Sequence, residues 1–323
     1  MASWRSRFLN LYLRSTRGRS LTPDTAIIAR RQKEENAAKN PKMPQDVEVT
    51  PVSLGSVKGE WVTPSTIESH RVILYFHGGG YCFGSAEARR PLVAEIAKAA
   101  GARALVIDYR LAPEHPFPAA LDDAISAYRW LLGNGTTPQG IVLVGDSAGG
   151  GLALSACMAL RDGGAPLPAA VVGLSPWTDL SMSGWSLLRN AKSDPTVTFA
   201  NLAVCARHYL KNTNPTNAFA SPLFGDFQNL PPLLVHVGSK EVLLDDATRI
   251  SDKADAAGIN ASVEVFDGMP HVFQQYASLS ETKGSISRIG SFIASRTSQA
   301  VRGKETSGST VTPFVPRQKS ANN

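Results

Sequence analysis

Gly145-Asp146-Ser147-Ala148-Gly149 places a serine between small residues. An apolar run at 141–145 precedes it and an Ala-rich stretch at 148–160 follows. That setting fits a nucleophile on a sharp strand–turn–helix bend. The bend needs small neighbours, because the backbone is strained and packs closely, and it turns the hydroxyl out of the sheet. The helix N-terminus behind the serine favours developing negative charge. An incidental serine in a Gly-rich turn is the plainer reading of five residues alone. The flanking strand and helix favour the nucleophile.

A second motif, His77-Gly78-Gly79-Gly80-Tyr81, directly follows the apolar run 72–76. Acyl transfer builds an oxyanion, and backbone N–H groups aimed at it are usually the largest catalytic contribution. Glycines let the chain turn its amides inward, and the N–H of Ala148, after the nucleophile, would complete such a hole. A phosphate loop is the competing reading, but no G-x-x-x-x-G-K-[ST] is present. His77 reads as an anchor of this loop rather than as the base.

The base must come from six histidines. His208 lies in an irregular stretch, and His236 sits inside the strand-like run 233–237, where a packed core role fits better. His271, in Asp267-Gly268-Met269-Pro270-His271, follows the last strand-like run and comes after the serine, the chain order of a fold that carries its serine on such a bend. The acid should lie between 237 and 271. Glu241 is close to the strand end, where its carboxylate can orient the His271 imidazole. Asp245 suits the N-cap of the next helix, with Asp246 in its first turn. Glu241 is favoured, with Lys240 as a neighbouring cation.

Positioning these residues takes an ordered scaffold. Strand-like runs fall at 47–52, 60–64, 72–76, 104–108, 141–145, 169–174, 233–237 and 262–266. Helical patterns at 86–100, 118–132, 148–160, 245–257 and 280–298 alternate with most of them. This order implies an α/β fold, a mostly parallel eight-stranded sheet with helices on both faces. Residues 178–225 break the rhythm and read as a cap insertion over the site. The expected division is a basic cap segment at 1–45, the enzyme domain at 46–298, and a polar, disordered tail at 299–323.

The 323 residues are 43% apolar, enough to bury a sizeable core and to exclude a disordered chain. The net charge of +6 first invites a nucleic-acid or membrane reading. Yet residues 1–40 carry nine basic and three acidic residues, and 41–298 carry 20 basic and 23 acidic. The excess therefore lies at the ends, and no nucleic-acid partner is expected. Trp4, Phe8, Leu11, Tyr12 and Leu13 fall near helical spacing among arginines that run on to Arg17 and Arg19. A docked cap is the favoured reading there, ahead of membrane contact through residues 1–40 and of an organelle presequence. Cys82, Cys157 and Cys205 show no CxxC spacing. They suggest neither a disulfide framework nor a metal site, and fit a cytoplasmic protein.

The HGGG motif ahead of GDSAGG, with YRLAPEHPFPAALDD between them, resembles the hormone-sensitive-lipase-like branch of the α/β-hydrolases, bacterial esterase family IV. SPWTDLS, SPLF, PPLLVHVGS and GMPHVF extend the resemblance over about residues 40–298. It implies an α/β-hydrolase fold with a helical cap and a carboxylesterase of short- to medium-chain acyl esters, working without cofactor or metal. Ser147 would be the nucleophile, His271 the base, and Gly78, Gly79 and Ala148 the oxyanion donors. The family's D-P-L-x-D pattern falls on Glu241-Val242-Leu243-Leu244-Asp245, so the resemblance also puts Glu241 in the acid's place, as a glutamate where aspartate is commoner. It further implies Tyr109, Arg110 and Glu114 as buried scaffold under the nucleophile loop, and Asp179 and Asp194 as organisers of the cap. An amidase or deacetylase with the same residues is the nearest rival, and a non-catalytic small-molecule receptor the rival from another class. A homodimer is compatible with either.

Overall fold

Two helices, α1 (Trp4–Thr16) and α2 (Asp24–Ala38), precede the first strand in the computed structural model, which describes residues 3–16, 24–39, 41–68 and 70–297. The chain then forms a hairpin of β1 (Val47–Leu54) and β2 (Val57–Pro64), turning at Gly55 in the left-handed region. Both strands run longer than their apolar runs, because antiparallel pairing continues down to Leu54 opposite Val57. From there strands and helices alternate: β3 (Val72–Phe76), α3 (Ala86–Ala100), β4 (Arg103–Asp108), α4 (Ala119–Gly133), β5 (Ile141–Asp146), α5 (Ala148–Asp162) and β6 (Ala170–Leu174). The stretch after β6 holds a four-residue helix, α6 (Ser186–Arg189), and α7 (Phe199–Leu210). The sheet resumes with β7 (Leu233–Gly238), α8 (Leu244–Ala257), β8 (Ala261–Phe266) and α9 (Ser280–Thr297). The tail at 299–323, like Arg17 and Arg19, lies outside the described residues.

The sheet order is β1-β2-β4-β3-β5-β6-β7-β8. β1, β2 and β4 pair antiparallel, and every pair from β4 to β8 is parallel. The chain moves outward from β3 to β4, then returns to place β5 on the other side of β3. The two loops leaving β3 and β5 therefore diverge at neighbouring strand ends, the switch point where open α/β sheets hold ligands.

β3, β5, β6 and β7 are buried at every position, as strands covered on both faces must be. Alternation splits their side chains between two cores. Val72, Leu74 and Phe76 pack with residues of α4, α5 and α8. Ile73 and Tyr75 pack with Ile96 of α3 and Ile289 of α9. Gly290 makes the second layer close: a Cβ there would run into the Ala99 carbonyl oxygen of α3. Gly290→Ala is expected to lower the urea midpoint, at about 1–3 kcal/mol for overpacking, although alanine is the better helix former. An unchanged midpoint would show that the α3–α9 contact yields freely.

The N-terminal helices are docked on this body. Ser3 N–H donates to Glu281 at 2.9 Å, Asn10 Nδ2 to the Gly268 carbonyl at 2.9 Å, and Arg14 to the Ser193 carbonyl at 3.2 Å. From α2, Ile27 is fully buried and Arg31 donates to the carbonyls of Cys82 and Ala112. Among the described residues, no helix is long and apolar enough to cross a membrane.

Candidate active site

Ser147 stands between the end of β5 and the start of α5 with φ 55° and ψ −122°. A non-glycine residue costs of order 1–3 kcal/mol in such a conformation and keeps it only if its surroundings over-determine it. They do so here. The Ser147 N–H donates to the Leu174 carbonyl at 2.8 Å, and its carbonyl accepts from the Trp177 N–H at 2.9 Å. The bend is thereby pinned to the end of β6. The flanking glycines are required by space: a Cβ on Gly145 would meet the Gly149 carbonyl, and one on Gly149 the Phe76 carbonyl.

The glycine loop after β3 is held from below. The Tyr109 hydroxyl donates to the His77 carbonyl at 2.6 Å, and the His77 ring stacks on Tyr109 at 4.3 Å. Burial pushes the His77 pKa down, so it is a neutral strut, as its position in the motif suggests. Gly79 and Gly80 take φ values of 129° and 62°, and both face the cavity that Ser147 lines.

Gly78 departs from its expected role. Its N–H already donates to Asp146 Oδ1 at 2.9 Å, so it cannot also serve an oxyanion. The same buried carboxylate accepts from the Tyr75 hydroxyl at 2.9 Å and pairs with Arg89 at 3.0 Å. Asp146 thus ties the glycine loop to the serine bend from within the serine motif itself. Its place between Gly145 and Ser147 was the signal available in the sequence; Tyr75 and Arg89 gave none. Gly80, rather than Gly78, lines the serine's cavity together with Gly79.

Glu241 is fully buried, and its Oε2 lies 2.7 Å from His271 Nδ1. Its other oxygen accepts from the Ser175 hydroxyl at 2.7 Å and from the Gly238 N–H. Ser175 Oγ in turn accepts from the Val272 N–H at 3.0 Å, so one hydroxyl fixes both the acid and the histidine loop. Ser175 was missed because nothing local marks it beyond its place in the SPW sequence. Lys240, the neighbouring cation in sequence, is not among the carboxylate's hydrogen-bond partners and is bound through its backbone to Met269 and Ser193.

Asp245 does not cap α8. The N-cap is Leu243, with no side-chain cap bond. The Asp245 carboxylate instead accepts from the Ser186 N–H at 2.8 Å and pairs with Arg189, joining α8 to α6. Asp246 is buried, accepts from the N–H groups of Thr178 and Asp179, and is pushed up to about 7 by burial. Asp194 accepts from the N–H groups of Thr196, Val197 and Val242, and Asn190 donates to the Glu241 carbonyl at 2.7 Å. The 178–225 stretch is strapped to the acid's loop in this way, and Asp179 holds Ser181, Ser183 and Arg249 beside it. Arg110 and Glu114 are not buried under the serine loop, with side chains 47% and 42% exposed. Arg110 pairs with Asp123, and Glu114 with Arg31 of α2.

His271 and Ser147 line the same cavity of about 230 Å³, together with Gly79, Gly80, Val197 and Leu202. Burial works against the charged imidazolium of His271. The hydrogen bond and charge of Glu241, with Asp194 and Asp146 behind it, outweigh that and raise its pKa above the ordinary value. His236 is different: enclosed in β7 with Nδ1 2.7 Å from Ser285 Oγ, it is lowered by burial to about 3 and belongs to the core. The arrangement of serine, imidazole and buried carboxylate can pass a proton from hydroxyl to histidine while the carboxylate holds the ring.

A profile of the α/β hydrolase fold matches residues 73–275. An acetyl-hydrolase of Streptomyces hygroscopicus is 43% identical over 252 residues, covering 78% of this chain and 84% of that protein. An esterase of Acinetobacter venetianus is 35% identical over 77% of this chain and 82% of its own length. Among solved structures, an esterase of the bacterial hormone-sensitive lipase family is 42% identical. It superposes with a TM-score of 0.86, covering 92% of this chain and 100% of that one. The esterase EstE5 soaked with p-nitrophenyl butyrate is 38% identical, with a TM-score of 0.87 over 92% of this chain and 100% of its own.

Proposed function

The chain belongs to the α/β-hydrolase fold family and is a serine ester hydrolase, and from that premise we propose Ser147, His271 and Glu241 as its catalytic triad. The 2.7 Å contact between His271 and Glu241, with the imidazole on the cavity that Ser147 also lines, is the observation that carries this assignment. Ser147 attacks the acyl carbonyl as His271 takes its proton. The N–H groups of Gly79, Gly80 and Ala148 receive the oxyanion. Ala148 opens α5, and a helix's first N–H groups have no partner within it. The imidazolium then protonates the departing alcohol. In the second half, His271 draws a proton from water, which attacks the acyl-enzyme and releases the acid.

Small-molecule esters are the substrates, and short- to medium-chain acyl groups are the range we propose. The cavity of about 230 Å³, bounded by Val197 and Leu202 of the insertion, supports that limit. In a p-nitrophenyl ester series, kcat/KM is expected to peak at or below about ten acyl carbons, since a pocket of limited size gains nothing from methylenes it cannot hold; a maximum beyond that length would overturn the proposal. An amidase would use the same residues, so matched ester and amide substrates decide that question, with the ester expected to be faster.

The residue assignments carry a domain reading: a cap segment at 1–45, the hydrolase domain at 46–298 and a cap insertion at 178–225. The straps from Asn190 and Asp194 to the Glu241 loop support treating the insertion as part of the site. A cytoplasmic setting is supported by three buried free thiols, Cys82, Cys157 and Cys205. A homodimer is supported by β8, the last strand of the sheet, with Val265 48% exposed.

A further inference from the structure

One face of α1 is docked and the opposite face meets solvent. Ser3, Ser6 and Asn10 turn toward the body, where Ser6 is fully buried. At 3.6 residues per turn, Trp4, Phe8, Leu11 and Tyr12 form one stripe on the other side. They are 72%, 70%, 67% and 61% exposed. Trp4, Phe8 and Leu11 alone place more neighbouring apolar surface in solvent than a monomer usually exposes. Arg5, Arg7 and Arg14, all exposed, fall on the two margins of the stripe, and no acidic residue precedes Asp24.

We propose that this face of α1 docks on an anionic lipid surface. Its apolar stripe enters the boundary between headgroups and acyl chains, and the exposed Arg7 on its margin meets the phosphates, while Arg5 and Arg14 each keep an N–H on a carbonyl of the body. Tryptophan and tyrosine beside arginine is the composition that such a boundary favours. Charge complementarity selects lipid over a second copy of the chain. Two copies of this face would oppose arginine to arginine, and α1 holds no carboxylate to answer them.

The docked side gives the contact its consequence. Asn10 rests on Gly268, Arg5 on Ser278 and Arg14 on Ser193. Those loops continue into His271, Gln275 and Thr196, which line the reaction cavity. The insertion that receives Arg14 also exposes Trp185 and Leu188, at 74% and 70%. Docking through α1 sets the cavity beside the lipid surface, where sparingly soluble esters partition.

Flotation of the full chain with vesicles tests this without reference to turnover. Binding to phosphatidylcholine vesicles containing phosphatidylglycerol is expected to be about tenfold tighter than to phosphatidylcholine alone and to weaken with salt. Trp4→Ser/Phe8→Ser is expected to weaken it by about tenfold or more, and Arg7→Glu to remove the preference for anionic lipid. Circular dichroism reports whether each variant folds. Absence of flotation overturns the proposal, as does a Trp4→Ser/Phe8→Ser chain that binds like wild type. So does a dimer in sedimentation velocity that this same variant dissociates, which would give the face to a second copy.

Discussion

Ser147→Ala is expected to lower kcat for p-nitrophenyl butyrate by about 10⁴-fold to 10⁶-fold, because nucleophile and base act as one unit. The loss should appear in turnover and not in folding. Alanine accepts φ 55° no better and no worse than serine, and every backbone bond that pins the bend is kept. Ser147→Gly separates the two effects further. It removes the same hydroxyl but relieves a left-handed conformation, so it should be as inactive as the alanine variant while unfolding at higher denaturant, by about 1 kcal/mol. A fluorophosphonate should label the wild-type serine and neither variant. Near wild-type hydrolysis by Ser147→Ala would transfer the chemistry to another residue. An unlabelled wild-type serine would favour a binding protein over an enzyme.

Glu241→Gln carries the second large effect, a fall of about 10³-fold to 10⁴-fold in kcat. The carboxylate accepts from Ser175 and Gly238 on one side and faces His271 Nδ1 on the other. An amide fits the space but can turn a donor toward Nδ1, which favours the wrong tautomer. The pH profile gives an independent reading. His271 must be neutral to act as base, so activity falls as pH drops through its pKa, and in the wild type that limb lies above the ordinary imidazole value. Without the Glu241 charge, burial remains as the main influence and pulls the limb of kcat/KM to lower pH. Asp245→Asn is the control: its ion pair with Arg189 is 61% exposed on the arginine side, so turnover should stay within about threefold. A limb that stays in place in Glu241→Gln, or moves instead in Asp245→Asn, would reassign the acid.

The sequence marked Ser147 through local context, at the end of an apolar strand-like run, and His271 through its place in the loop after the last strand-like run. Glu241 followed from its closeness to a strand end and from the family pattern. Those signals are short in range: a buried strand needs a continuous apolar run, and a strained bend needs glycines at fixed offsets. The alternating order of strands and helices fixed the mostly parallel sheet in the same way, through periodicity that any eight or ten residues display.

Partnerships between distant segments were left for the tertiary structure to decide. Gly78 and Gly80 are alike in sequence, and only the arrival of Asp146, 68 residues on, takes the Gly78 amide and leaves Gly80 facing the cavity. Ser175 reaches Glu241 across 66 residues and Val272 across 97. Asp245 reads as a helix cap until Ser186 and Arg189 claim its carboxylate. The arginines and aromatics of α1 were visible from the start, but which side of the helix is docked depended on Glu281, Gly268 and Ser193. A backbone N–H or a carboxylate has few bonds to give, and which partner receives them depends on what folding brings near. Spacing along the chain determined the elements and the chemistry, and proximity in space determined which groups were free to perform it.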